Sequence, residues 1–567
     1  MVPYVAEQFT DAEADVLRRY VTNLDGPVFA LVNLPEVVKG ALFARYSRSP
    51  KSLRRLFLDE FVDDLDVRGD AGIDATVGLR RAEALYDRMF GEYGDDSVAQ
   101  LGGVHLACEQ SSNLLTKVLE RGRLMAYLEQ STRYIGYDAR LESGHYRYFR
   151  DPDVLSSPHG ARYVGDMDRM FDTYAELLPT MTAWLARRFP RQAGEAEIPH
   201  RRAVRAKALD ALRGLLPAGS LSNVGIYGTG QSYEQLLLRM RAHPLPEARR
   251  YAEMMLIELR KVIPSFLSRL DRPDRGGAWV AYLEETARRT AAVAARLWPD
   301  DPGPGGGADA AAPGAAAHPS ASGQRSGAPG AEAGVPAGVE LVDWDPDGEV
   351  KVLAAVCFPV SSRPEREIER RVARLGPAER RELLEAAVGD RANRRHRPGR
   401  AFERTSYRFE VVCDYGAFRD LQRHRMLTVE WQRLGPELGA EVPDLVEEAG
   451  LGPAFRSSLE RSAELHDALA GDFPEQAAYA VALAFKVRFA MQMDAREAMH
   501  LLELRSGREG HPAYRQVAQQ MHRLIEERAG HRAIAAAMRF VDHRDHGLER
   551  LEAEERVARR RGGAQGV

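Results

Sequence analysis

Residues 121–134 read RGRLMAYLEQSTRY and residues 423–427 read RHRML. In both, two arginines stand one residue apart. A guanidinium is a rigid fork matched to phosphate oxygens, and His424 between Arg423 and Arg425 adds a ring that donates a hydrogen bond or stacks on a planar group. One reading of the triplet is a phosphate-bearing cofactor site, and the other is a solvated arginine-rich helix face. In the first stretch Glu129, Ser131 and Arg133 alternate. If the chain is extended there, they share a face and form a polar cradle for a nucleotide phosphate and base. If a helix starts there, Ser131 is a cap and Arg133 a surface charge.

Outward from these stretches the chain echoes itself. SYEQLLLRM (232–240) followed by EARRYAEMM (247–255) parallels AREAMHLLELR (495–505) followed by AYRQVAQQM (513–521), in the same order as the two arginine stretches. An ordered pair of matching blocks argues for duplication. Between the copies, residues 301–336 read DPGPGGGADAAAPGAAAHPSASGQRSGAPGAEAGVP. This Gly/Ala/Pro/Ser composition cannot bury enough apolar surface to offset backbone ordering, so residues 299–338 are expected to be a flexible linker between a first unit, 1–298, and a second, 339–567.

The expected fold class is α+β, two related and mostly helical domains with a mixed sheet in each. Leu106, Leu114, Leu115, Val118 and Leu119 follow a helical spacing, weakened by Gly102, Gly103 and Gly122. SYEQLLLRMR and the run from Pro246 to Leu270 read as amphipathic helices, with Pro264 near the end of the second. The stretch from Ser406 begins strand-like and turns helical around Phe418–Leu421. Residues 477–505 read as strongly helical, and 513–540 as one more helix. Phe489, Met491, Met493 and Met499 are expected to be core packing residues. GIYGTGQS (225–232) lacks the spacing of a dinucleotide or Walker loop and reads as a turn before a helix, with Thr229 or Ser232 near its cap.

With 567 residues the chain is too long for one ordinary core. The 79 Lys and Arg against 83 Asp and Glu give a net charge of −4, which supplies no general attraction to nucleic acid or an anionic membrane. Any phosphate must be held by local arginines. Cys108, Cys357 and Cys413 make no CxxC or His-Cys cluster, which argues against a disulfide framework or structural zinc. No HExxH appears, and no metal is expected; His531, His543 and His546 read as scattered in a charged helix. The charged opening lacks a signal-peptide core and no run of 18 apolar residues occurs, so the cytoplasm is the expected compartment. Arg496 and His500 lie i,i+4 on one helix face, with Arg505 on a different side unless the helix ends near Ser506–Gly507.

The first stretch resembles the signature RHRxxSxNExSxRY of flavin-dependent thymidylate synthases. Arg121, Arg123, Glu129, Ser131, Arg133 and Tyr134 agree in register, while Gly122, Ala126 and Leu128 depart from it. The second unit keeps Arg423-His424-Arg425 but has no ExSxRY. DAREAMHLLELR (494–505) resembles the family helix NARxxxxFLxLR, with Arg496 and Arg505 retained and His500 at a flavin-side position. LRGLLP resembles ARxxLP and carries over Arg213. The resemblance implies FAD held by Arg121, Arg123, Arg423, His424, Arg425, Arg496 and His500. It implies dUMP held by Glu129, Ser131, Arg133, Arg213 and Arg505, with Arg213, Arg505 and Ser131 at the reacting centre. The implied reaction is reductive methylation of dUMP to dTMP, with methylenetetrahydrofolate as one-carbon donor and NADPH as reductant. Family sites form between subunits of a homotetramer. Here each unit keeps what the other has lost, so one composite site across paired halves is expected, with self-association into a dimer left open. The alternative is a catalytically degenerate nucleotide- or flavin-binding scaffold.

Overall fold

The structure, a computed structural model, describes residues 7–26, 29–36, 38–39, 42–43, 51–60, 62, 100–298 and 335–564. Most of the expected linker, residues 299–334, lies outside the described residues. The chain forms two compact units, Met1–Ser111 with Val118–Gln130 and Asn223–Asp301, and Ser112–Lys117 with Ser131–Ser222 and Pro302–Val567. This division follows a different line from the linker. Residues 131–222 precede it in sequence yet share a compact unit with the chain that follows it.

In the first unit, strands β1 (Gly103–Ser112), β2 (Met125–Glu129) and β3 (Leu221–Thr229) form a sheet in the order β1-β3-β2. β2 and β3 are antiparallel, from Met125 opposite Gly228 to Glu129 opposite Val224. Thr229 caps the helix Gly230–Arg241 by accepting the Ser232 N–H at 3.3 Å, as GIYGTGQS suggested. Pro246 opens the next helix, Pro246–Arg260, at a position where its missing N–H costs nothing.

In the second unit, β4 (Gly338–Trp344), β5 (Ser406–Asp414), β6 (Thr428–Trp431) and β7 (Lys486–Asp494) form a sheet in the order β4-β5-β7-β6. Every pairing in it is antiparallel, which corrects the expectation of a mixed sheet. The order β5-β7-β6 repeats β1-β3-β2. Helix Tyr415–Leu421 follows β5 as Asn113–Leu119 follows β1, and helices Ala495–Arg505 and Pro512–Glu527 follow β7 as Gly230–Arg241 and Pro246–Arg260 follow β3. Caps repeat as well. Asp414 accepts the Ala417 N–H at 2.9 Å and Asp494 the Glu497 N–H at 2.8 Å, while Ser112 accepts the Leu115 N–H at 2.9 Å. The repeated order of elements is the structural form of the duplication.

Three expected helices are corrected. Residues 103–112 are strand β1, and only Asn113–Leu119 is helical. Residues 486–494 are strand β7, in which Val487, Phe489, Met491 and Met493 point into the core while Arg488, Ala490 and Gln492 do not. Partners on both edges satisfy its backbone, so the period of two prevails over an apolar, helix-friendly composition. The last run divides into Pro512–Glu527 and Arg532–Ala537, with Gly530 at φ +74° in between.

Within the second unit the 29-residue helix Gly160–Arg188 buries Tyr163, Met167, Phe171, Tyr174, Leu178 and Met181 along one stripe and packs against Glu197–Leu212 and Gly452–Ala470. Two loops from opposite sides of the linker pair antiparallel there. Ala218 N–H donates to Val481 O at 2.8 Å, Gly219 N–H to Tyr479 O at 2.8 Å, Leu483 N–H to Leu216 O at 2.9 Å and Ala484 N–H to Gly214 O at 3.0 Å. The LRGLLP stretch (212–217) thus lies beside residues 479–484. Among the described residues, no helix is long and apolar enough to cross a membrane.

Candidate functional site

The helix Tyr415–Leu421 ends just before the basic triplet, and its Asp420 becomes a hub. Arg423, three residues on, donates to Asp420 Oδ1; Arg213 Nη1 reaches Oδ2 at 3.2 Å and Arg505 Nη1 lies 4.0 Å from Oδ1. Asp420 is buried, yet its carboxyl is held well below the usual range: burial opposes the charge, and Arg423, Arg213, Arg505 and Arg133 outweigh it. Arg213 also sits 3.7 Å from Asp414. Burial raises the Asp414 carboxyl, with Arg213 opposing. Arg213 Nη2 and Asp414 Oδ2 are buried with no hydrogen-bond partner.

Arg133 enters from the segment after β2. Its Nε and Nη2 meet Asp210 Oδ1 and Oδ2 at 2.8 Å each, and its Nη1 donates to Tyr514 Oη at 2.6 Å. Arg505 lies over the same Tyr514 ring, 5.5 Å from its centroid. Arg550 donates to Asp210 Oδ2 at 3.0 Å and to Arg133 O at 2.9 Å. Asp210 is lowered in consequence: burial raises it, and Arg133 and Arg550 more than compensate. Among the described residues, this ion-paired network joins five guanidiniums (133, 213, 423, 505, 550) to three carboxylates (210, 414, 420).

His424 is buried beside this network. Its Nδ1 lies 3.0 Å from Glu497 Oε1, and its Nε2 accepts the Arg505 Nε–H at 3.0 Å. That fixes the neutral Nδ1–H tautomer, consistent with a pKa pushed down to about 4 by burial, which Glu497 opposes and Arg505 reinforces. Glu497 is lowered to about 2: burial raises it, and hydrogen bonds from His424 and His500 dominate. The ligating atoms of His424, Glu497 and His500 all lie within 4.8 Å of one another. A cation on His424 Nδ1 would need the proton moved to Nε2, where the Arg505 N–H already points. The trio is built as a hydrogen-bonded relay and does not fit a metal.

The remaining expected residues are placed as follows. Ser131 Oγ accepts the Arg133 N–H at 3.2 Å within a turn, so Glu129, Ser131 and Arg133 are not one extended face. Arg496 donates to Pro398 O at 3.1 Å and contacts Glu403 at 3.4 Å. Arg425 is exposed. Arg121, Arg123 and Glu129 belong to the other compact unit, where both arginines are exposed and Glu129 is buried. At Gly122 a Cβ would stand 2.5 Å from Tyr127 Oη and 3.0 Å from Met125 Sδ, so a histidine there would displace its neighbours. His531 is buried against the Tyr407 hydroxyl at 2.7 Å, and His543 and His546 lie outside helices, which corrects their reading as parts of a charged helix.

The fold and cluster define a duplicated α+β protein with a buried arginine network contributed from both sides of the linker. The family model described as thymidylate synthase complementing protein matches residues 43–265 and 340–529. The chain belongs to that family and carries its domain twice. A UPF0159 protein of Chlamydia muridarum is 36% identical over 97% of this chain and 98% of the relative. Another from Chlamydia pneumoniae is 36% identical over 97% and 98%, and one from Thermoplasma acidophilum 29% over 93% and 99%. Among solved structures, the UMP/dUMP methylase PolB from Streptomyces cacaoi, bound with 5-Br dUMP, matches at 20% identity over 37% of this chain and 98% of that one. The TM-score of that match is 0.29.

Proposed function

We propose that this chain methylates a pyrimidine nucleotide in the manner of flavin-dependent thymidylate synthases, converting dUMP to dTMP with methylenetetrahydrofolate, FAD and NADPH. The supporting observation is that Arg213, Arg423 and Arg505, from both sides of the linker, share the carboxylate of Asp420. Arg213 Nη2, which lies 3.7 Å from Asp414 Oδ1 and makes no hydrogen bond, is a buried donor suited to a uracil carbonyl. A guanidinium fixed there stabilises the negative charge that develops on the ring as C5 becomes nucleophilic, and it needs no covalent attack. The cysteines agree with this: burial pushes the Cys108 thiol up to about 12 and raises those of Cys413 and Cys357, so none is poised as a thiolate.

The donor set fits a flavin diphosphate, because Arg423 and Arg425, two guanidinium forks, flank a buried neutral His424. Arg423 and Arg425 would hold the phosphates and His424 would keep Arg505 aimed. When bound, the flavin supplies the hydride.

One contact favours the noncatalytic reading. Arg133, which the resemblance gives to the nucleotide phosphate, is already held by the Asp210 carboxylate. Tritium release from C5-labelled dUMP separates the two readings. Release that requires flavin, folate donor and reductant is expected; flavin-loaded protein that binds dUMP without releasing tritium would leave the scaffold reading standing.

A further inference from the structure

The second unit holds another basic concavity that shares no lining residue with the Asp420 network. It is an open cavity of about 660 Å³ whose lining includes Asn393, Arg394, Arg539, Phe540, His543 and Arg544. Its arginines come from two places, the basic run RANRRHRPGR (391–400) and the segment after residue 529, where the family match ends.

Two carboxylates line the same cavity, and both are already answered. Glu503 accepts two hydrogen bonds from Arg391, at 2.6 Å each, in a pair whose side chains are 1% exposed. Asp542 accepts from Arg544 at 3.0 Å and lies 2.7 Å from His546 Nε2. Burial opposes its charge, yet these partners hold its carboxyl below the usual range. Arg394 and Arg539 are exposed and have no carboxylate partner among the described residues. Arg539 also stands 5.4 Å from the ring of Phe540, another lining residue of the cavity. In a chain of net charge −4, two uncompensated forks over a floor of neutralised carboxylates form a local anion receptor.

We propose that this cavity binds the di- or triphosphate group of a nucleotide-sized ligand, with Arg394 and Arg539 as the phosphate forks and His543 at the rim. The size suits one nucleotide, and concentration of the unpaired charge in one concavity favours adjacent phosphates over a single carboxylate.

The test is displacement of a fluorescent nucleoside triphosphate from the full-length protein, followed by anisotropy. Inorganic triphosphate should displace it, the unphosphorylated nucleoside should not, and affinity should fall as salt rises. Arg394→Glu combined with Arg539→Glu should weaken binding about tenfold or more. Both positions are exposed, and an unchanged circular dichroism spectrum shows that the variant is folded. Excess dUMP should leave the probe bound and Arg213→Ala should retain it, which separates this cavity from the Asp420 site. Binding indifferent to both charge reversals, or displacement by the nucleoside alone, would overturn the proposal. So would tighter binding of single-stranded RNA lost in the same variant, since the surface would then be a nucleic-acid site.

Discussion

Asp210 grips Arg133 through two parallel hydrogen bonds of 2.8 Å, although the residues are 77 positions apart. The arginine of the STRY stretch is therefore oriented by the helix Glu197–Leu212, and Arg550 clamps the same carboxylate from the far end of the chain. Removing one member of a buried pair strands the other in low dielectric. Asp210→Ala is expected to destabilise the second unit by about 3–5 kcal/mol, read from denaturant unfolding. A change within about 0.5 kcal/mol, the size expected of a surface substitution, would show that the pair is not buried in solution.

The C-terminal segment makes a second buried pair, Lys207 with Glu549 at 2.6 Å. Glu549→Leu alone should be strongly destabilising, because Lys207 keeps its charge without a partner. Adding Lys207→Met should recover most of the loss, since an apolar pair of similar volume replaces a buried ion pair at little net cost. Equal stability of the single and double variants would contradict the packing of this segment.

His424 makes stability depend on pH. Its pKa is 6.5 when unfolded and about 4 when folded, so between these values the unfolded chain binds a proton that the folded one does not. Stability must then fall as pH is lowered through that window and level off above it. His511, pushed by burial down to about 3, adds to the slope in the same sense. His424→Gln should reduce the slope between pH 6 and 4 by up to about 1.4 kcal/mol per pH unit, measured by urea unfolding across pH. An unaltered slope would mean that His424 titrates normally.

Gly122 stands where the family has histidine. Restoring it with Gly122→His should cost about 1–3 kcal/mol through collision with Tyr127 and Met125, including loss of the 3.2 Å hydrogen bond from Tyr127 Oη to Gly122 O. A variant as stable as the parent would show that the space is open.

How much of this was legible beforehand follows the range of the interactions. The duplication, the strand-to-helix turn at Asp414–Tyr415, the Thr229 cap and the core methionines depend on neighbours in sequence, and local pattern reveals them. β7 was hidden because an apolar run rich in alanine and methionine reads as helix until both flanking strands are known. The arginines were legible as chemistry, but their carboxylate partners were less so. Asp420 stands three residues before Arg423 and Glu497 three before His500, spacings that could have flagged them. Asp210, Tyr514 and Arg550 meet Arg133 only through the fold, and no local pattern signals them.

The most direct measurement is calorimetric titration of dUMP into the wild-type protein and Arg213→Ala. If the Asp420 network holds the pyrimidine, the wild type binds and Arg213→Ala, which still leaves Arg423 and Arg505 to neutralise Asp420, binds about tenfold or more weakly with an unchanged circular dichroism spectrum. Equal affinity in the two proteins would place the nucleotide elsewhere and remove the physical basis for catalysis at this cluster.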